Sequence, residues 1–163
     1  MPQKRRKGGD GVRKRTRSRE FALQVLYQIE INRSEVSDVL EDFWKDRSDL
    51  ELTDKEKEAI ELDKKDMEIR QYTEKLVRGT LERLETLDEI IERFAEHWAI
   101  DRMANVDRNI LRISTYELLY FDEMPVKVAI NEAVELAKRY GESDSSKFVN
   151  GILDRIAKTE SRR

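Results

Sequence analysis

In the stretch INEAVELAKRYGESDSSKFVNGIL, residues 130–153, a helical pattern stops at Gly141 and restarts at a Ser/Asp cluster. Lys147, Phe148 and Asn150 follow within a turn of the restart. A helix start carries unpaired amides and a partial positive charge, so Ser145, Ser146 and Lys147 could hold a phosphate there. Phe148 could give an unstacked base a face, and Asn150 could read its edge. The same residues also serve a bland purpose, with Phe148 in a core and Asn150 as a structural hydrogen-bonder. Gly141 is expected to end its helix in the left-handed conformation, and Ser143 or Asp144 to cap the next.

Other chemistry is sparse. Glu117 stands among apolar neighbours in ISTYELLY, where a carboxylate either acts as a general base or, more commonly, pairs with an arginine such as Arg112 or Arg19. Cysteine is absent and His97 is the only histidine. That excludes disulfides, thiolate catalysis and zinc sites built from Cys or several His. No glycine-rich phosphate loop or nucleophile elbow occurs. The residues predict no catalytic site, no metal and no cofactor. Gly151 inside the last helix costs about 1 kcal/mol relative to alanine, which points to close approach of another helix.

Charge is distributed unevenly. Residues 1–19 hold nine Lys and Arg against Asp10, while the 163-residue chain as a whole carries a net charge of -3. A basic arm on an acidic body points to a polyanion, because neutralising phosphates releases counterions whatever the base sequence. The alternative is a solubilising tail. No apolar run approaches the roughly 20 residues that span a bilayer, and no signal peptide follows the basic start, so a cytoplasmic protein without a membrane partner is expected.

Helical spacing must position these residues. Residues 1–14 read as a disordered basic arm. From Arg17, the apolar stripe Ala22, Val25, Leu26 and Ile29 predicts a helix, and Val36, Leu40, Phe43 and Trp44 predict a second with these side chains inward. Residues 46–66 are a charged insert, either a solvated loop or an exposed helix. Tyr72 to Leu87 and then Ile90, Ile91, Phe94 and Trp98, after a break at Asp88, give two more amphipathic helices, with His97 at the end. Asn105 or Asp107 starts a helix with apolar residues on more than one face, suited to a central position. Pro125 separates it from a helix burying Ile130, Ala133, Val134 and Ala137. The final helix reaches about Ala157. No strand pattern appears, so the expected class is all-α, with an N-terminal subdomain over 15–98, a C-terminal one over 99–158 and a tail over 159–163.

The string VDRNILRISTYELLYFDEMPVKVAINEAVELAKRYGESDSSKFVNGILDRIA, with RSREFALQVLYQIE near the N-terminus, closely resembles the NusB family of transcription antitermination proteins. The likeness covers roughly residues 15–158. Only the longer basic arm and the larger insert depart from it. The resemblance implies two small helical bundles packed together and a non-enzymatic RNA-binding factor. It would pair with NusE, a small-subunit ribosomal protein, on single-stranded boxA RNA of nascent transcripts, notably those of ribosomal RNA operons. It would act with the transcribing RNA polymerase complex. Carried over by motif and by the basic arm, Arg13, Lys14, Arg15, Arg17, Arg19, Gln24 and Tyr27 form one wall of an RNA groove. Asp144, Lys147 and Phe148 form the other. The NusE contact is expected on the helix of Asp107, Arg112 and Tyr116, and whether the free chain forms a homodimer is left open. Two rivals are a DNA-binding helical regulator and a protein-only scaffold. The related ribosomal RNA methyltransferases need a further catalytic domain and a cysteine that this sequence lacks.

Overall fold

The computed structural model describes the backbone of residues 7–48, 54–96 and 98–160, and the side chains of residues 14–45, 67–96 and 98–160. Among these the chain is all-α: α1 (Lys7–Asn32), α2 (Val36–Ser48), α3 (Asp54–Glu82), α4 (Leu84–Phe94), α5 (Asn105–Tyr120), α6 (Val126–Tyr140) and α7 (Ser145–Glu160), with a 3-10 turn at Ile100–Arg102. It divides into two compact units, Met1–Lys75 and Leu76–Arg163. The division falls inside α3, ahead of the 98/99 joint expected from the sequence, because α4 packs on α5 and α7.

In the first unit, α1 buries Ala22, Leu23, Val25 and Leu26, and α2 buries Val39, Leu40 and Phe43. These spacings of three and four put each set on one helix face, where each large side chain contributes roughly 1.5–3 kcal/mol. Small polar residues bring α1 and α3 together: the Ser18 hydroxyl lies 2.9 Å from the Lys14 carbonyl and 3.0 Å from that of Ile69. Thr73 Oγ1 lies 3.4 Å from the Ser18 carbonyl across the pair and 2.7 Å from the Ile69 carbonyl of its own helix. Helix α1 begins at Lys7, so residues 7–14, expected to be disordered, are helical in backbone. It ends without a glycine, at Arg33, whose φ of 51° lies in the left-handed region. The expected insert is covered by helix from Asp54 onward. Its side chains up to residue 66, and those of residues 1–13, lie outside the described residues.

In the second unit, α5 is central. Every residue from Asn109 to Leu118 except Arg112 is buried. Helix α6 packs on α5 and α7, and its alanines at 129, 133 and 137, all buried, keep a narrow stripe one turn apart. Helix α7 buries Val149, Ile152, Leu153 and Ile156, while α4 buries Leu87 and Ile91.

Several expectations give way. The break ahead of α4 falls at Arg83 rather than Asp88, and α4 ends at Phe94. Helix α7 runs to Glu160, into the segment read as tail. Gly141 has φ -93° and ψ -175°, extended rather than left-handed. The turn is instead fastened by Ser145, whose Oγ accepts the Glu142 N–H at 3.0 Å. A Cβ at Gly151 would meet nothing within 4 Å. The close approach is at Gly79, where a Cβ would overlap the Tyr116 ring and hydroxyl.

Candidate nucleic-acid interface

Helical pitch divides the candidates on α1. One turn advances roughly 3.6 residues, so Arg17, Gln24 and Tyr27 share a side, with Arg13 a turn ahead. Arg15 and Arg19 face elsewhere. The Arg17 guanidinium is exposed, 3.3 Å from Glu20 and 5.2 Å from the Phe21 ring centre. Gln24 is half-buried and Tyr27 is 44% exposed. Arg19, by contrast, is 2% exposed and offers no face to a polymer in this conformation. Lys14 reaches Glu68 at 2.6 Å, and Arg15 lies over the Tyr72 ring at 5.5 Å. The Arg13 side chain lies outside the described residues.

In the second unit, the start of α7 forms part of a cleft of about 250 Å³. Asp144 and Lys147 are exposed and Phe148 is half-buried, its edge presented to Trp98 at 6.3 Å between ring centres and 77° between planes. Trp98 is 53% exposed. Sequence spacing placed it on the inner face of α4, but the helix has ended and the chain has turned away. That loop is fixed from both sides. The Arg108 guanidinium donates to the carbonyls of Met103, at 2.8 Å, and Ile100, at 3.2 Å, while the Ile100 N–H donates to Glu92 at 2.9 Å. His97 lies outside the described residues.

Asp107, Glu142 and Asp144 line the same cleft. Asp107 Oδ1 is buried, with no hydrogen-bond donor to it among the described residues. A carboxylate oxygen can only accept, so this atom suits a donor from water or from a ligand. Several carboxylates together repel phosphate, yet they suit the amino and imino groups on a base edge. The cleft can therefore stack a base against Phe148 and Trp98 and accept hydrogen bonds from it.

The cleft gathers Asp107 with Asp144 and Phe148 and separates it from Arg112 and Tyr116. Arg112 is nearly covered and clasps both oxygens of Asp88 at 2.8 Å. It also donates to Asn109, which donates in turn to Asn105 at 2.8 Å. Such a two-pronged pair is stronger and more directional than a single bond, so Arg112 holds α5 to α4. Tyr116 is 6% exposed. Burial raises its pKa, with a smaller opposing effect from the Arg83 cation. Trp98 and Arg102 of the cleft were not identified from sequence as binding residues. A signal existed for Trp98: a large aromatic just past the last helical repeat, with no partner left in the stripe. Among the described residues no cluster of His, Cys, Asp and Glu could hold a metal, and no helix is long and apolar enough to cross a membrane.

Comparison with known proteins gives consistent matches. The family model described as NusB family matches residues 16–158. A transcription antitermination protein NusB from Anaeromyxobacter sp. (strain Fw109-5) is 46% identical over 144 residues, 88% of this chain and 90% of that protein. The Bacillus subtilis (strain 168) NusB is 41% identical over 143 residues, 88% and 94% of the two chains. The solved structure of T. maritima NusB superposes with a TM-score of 0.74 at 38% identity, covering 90% of this chain and 92% of that one. A crystal structure of antitermination factors NusB and NusE in complex with dsRNA aligns with a TM-score of 0.70 at 27% identity, covering 90% and 97%.

Proposed function

The chain belongs to the NusB family, which makes it a non-enzymatic transcription antitermination factor, and from that premise we propose that it pairs with NusE and binds single-stranded boxA RNA. The observation that supports the RNA reading is the cleft of Trp98 and Phe148, whose carboxylates Asp107 and Asp144 can accept hydrogen bonds from a base edge. One base stacks on the aromatic pair and donates from its edge to Asp107 or Asp144. Arg17 and Lys147 neutralise phosphates, and Tyr27 offers a further ring. Arg19 supports α1 from inside. The NusE contact belongs on α5, at the exposed Tyr120 end beneath Arg83, with Arg112 and Tyr116 behind that surface. The setting is the nascent transcript and its polymerase in the cytoplasm, ribosomal RNA operons above all.

Titration of boxA RNA against the full chain, with and without NusE, tests this. Tight RNA binding that NusE strengthens is the expected result. Deleting residues 1–15 weakens binding and flattens its salt dependence, by about 0.7 in log-log slope for each single-strand phosphate no longer neutralised. An unchanged slope reduces the arm to a tail. A preference for duplex DNA identifies a DNA regulator, and NusE binding without RNA binding at low salt identifies a scaffold.

A further inference from the structure

The larger cleft of the first unit, about 370 Å³, has no part in the reading above. It lies where α1 meets α3 and is lined by Ser18, with the Ser18 contact to the Ile69 carbonyl and the Thr73 contact to the Ser18 carbonyl holding the helices together beside it. Lys14 and Arg15 enter it from α1, and Gln71, Tyr72 and Lys75 from α3. This chemistry is the reverse of the Trp98 cleft: three cations against one carboxylate, Glu68.

That carboxylate occupies Lys14 only weakly. The pair spans 2.6 Å, but the Glu68 side chain is 65% exposed, and exposed pairs contribute little because water screens them and two long side chains must be held still. A phosphate, with more charge and more acceptor oxygens, can displace it. On the other wall, the Arg15 guanidinium over the half-buried Tyr72 ring makes a flat surface edged with donors. A cation-faced ring beside two lysines, in a volume near that of small-molecule sites, is the composition that holds one nucleotide by its phosphate and its sugar or base.

We propose that the α1–α3 cleft is a second RNA contact, taking one nucleotide of the strand other than the one held by Trp98 and Phe148. Lys14, Arg15 and Lys75 hold its phosphate and Tyr72 supports its sugar or base. Helix α3 thereby becomes an RNA-binding element, and Glu68 is a built-in competitor that the strand must displace. The inference rests on the RNA-binding reading. The same chemistry would also accept a free nucleotide.

The experiment titrates boxA RNA against the full chain over a range of salt, for the wild type and its variants, with melting temperatures alongside. Lys75→Ala is expected to lower the log-log salt slope by about 0.7, the share of one single-strand phosphate. Lys75→Arg keeps the slope. Tyr72→Ala weakens binding by about 5- to 100-fold. Glu68→Gln, by removing the competitor, strengthens RNA binding severalfold, an increase that a merely structural bridge would not give. Unchanged slope in Lys75→Ala together with neutral or weakened binding in Glu68→Gln overturns the proposal. If wild-type RNA binding is intact in that case and falls in Phe148→Ala, the function stands and only this site falls away. If the wild type binds no RNA, both fall. Adenosine monophosphate binding that needs Lys75, with RNA binding indifferent to it, assigns the cleft to free nucleotides and also overturns the RNA assignment.

Discussion

Phe21, Phe43 and Trp44 in the first unit meet edge to face, with ring centres 5.0 to 5.9 Å apart, and Trp98 and Phe148 in the second meet in the same manner at 6.3 Å. Phe43 is 4% exposed, the Trp44 indole nitrogen is buried, and the Arg70 guanidinium covers the Trp44 ring at 5.4 Å. Trp98, by contrast, stands half in solvent above a cleft lined with carboxylates. The same residue types in like geometry thus close one core and leave another pair open to solvent. Whether the backbone is still helical makes the difference. Phe43 and Trp44 lie within α2, whereas Trp98 lies past the end of α4, on a loop that Arg108 and Glu92 hold away from the helix axis.

Single truncations can break this contrast. The largest expected effect is Phe43→Ala, a loss of about 3–5 kcal/mol of stability in urea or thermal unfolding, with RNA affinity per folded molecule unchanged. Next come Phe148→Ala and Trp98→Ala. Each is expected to cost about 1–3 kcal/mol in RNA titration, with a stability loss well below that of Phe43→Ala. A collapse in melting temperature with affinity intact would put the second cluster in the same class as the first. Opposite in sign, Gly151→Ala is expected to stabilise by about 1 kcal/mol, since its added methyl group meets open space and helix propensity alone decides the outcome.

The smallest effect concerns a third aromatic group, where Tyr116 lies 5.6 Å from Tyr120 and 5.1 Å from Phe121. Burial raises the Tyr116 pKa above its ordinary value of 10.0. Below about pH 10 both folded and unfolded chains keep the phenol neutral, and its contribution is fully present. As pH rises further the unfolded chain ionises first, so stability falls until the folded phenol ionises too. Tyr116→Phe is expected to remove this component of the alkaline loss, as measured by urea unfolding at about pH 9 and pH 11.

Periodicity and punctuation made much of the architecture legible. Asn105 opens α5, Pro125 precedes α6, and apolar residues all round α5 announced its central place. The helix start carrying Asp144 and Phe148 was found because Gly141 and the Ser/Asp cluster interrupt an otherwise regular pattern. What stayed hidden depends on tertiary contact. Arg83 ends α3 with neither glycine nor proline, and Arg33 turns α1 in a conformation a sequence reader reserves for glycine or asparagine. Arg19 and Arg112 look like surface cations, and only the folded chain shows one buried and the other clasping Asp88. That Asp107 lines one cleft with Asp144 and Phe148 was also hidden, because spacing on one helix says nothing of what another helix brings opposite it. Gly79 and Gly151 exchange roles for the same reason: the partner that makes a glycine necessary, Tyr116, lies far along the chain.

The burial of α5 from Asn109 to Leu118, broken only at Arg112, determines how that helix answers deuterated solvent. Its amides have no local fluctuation that wets them, so they exchange only when the surrounding bundle opens as a whole. Any ligand that binds the closed form and not the open one slows that exchange by the factor 1 + [L]/Kd. The buried middle of α5 is thereby an isotopic gauge of occupancy at the surface.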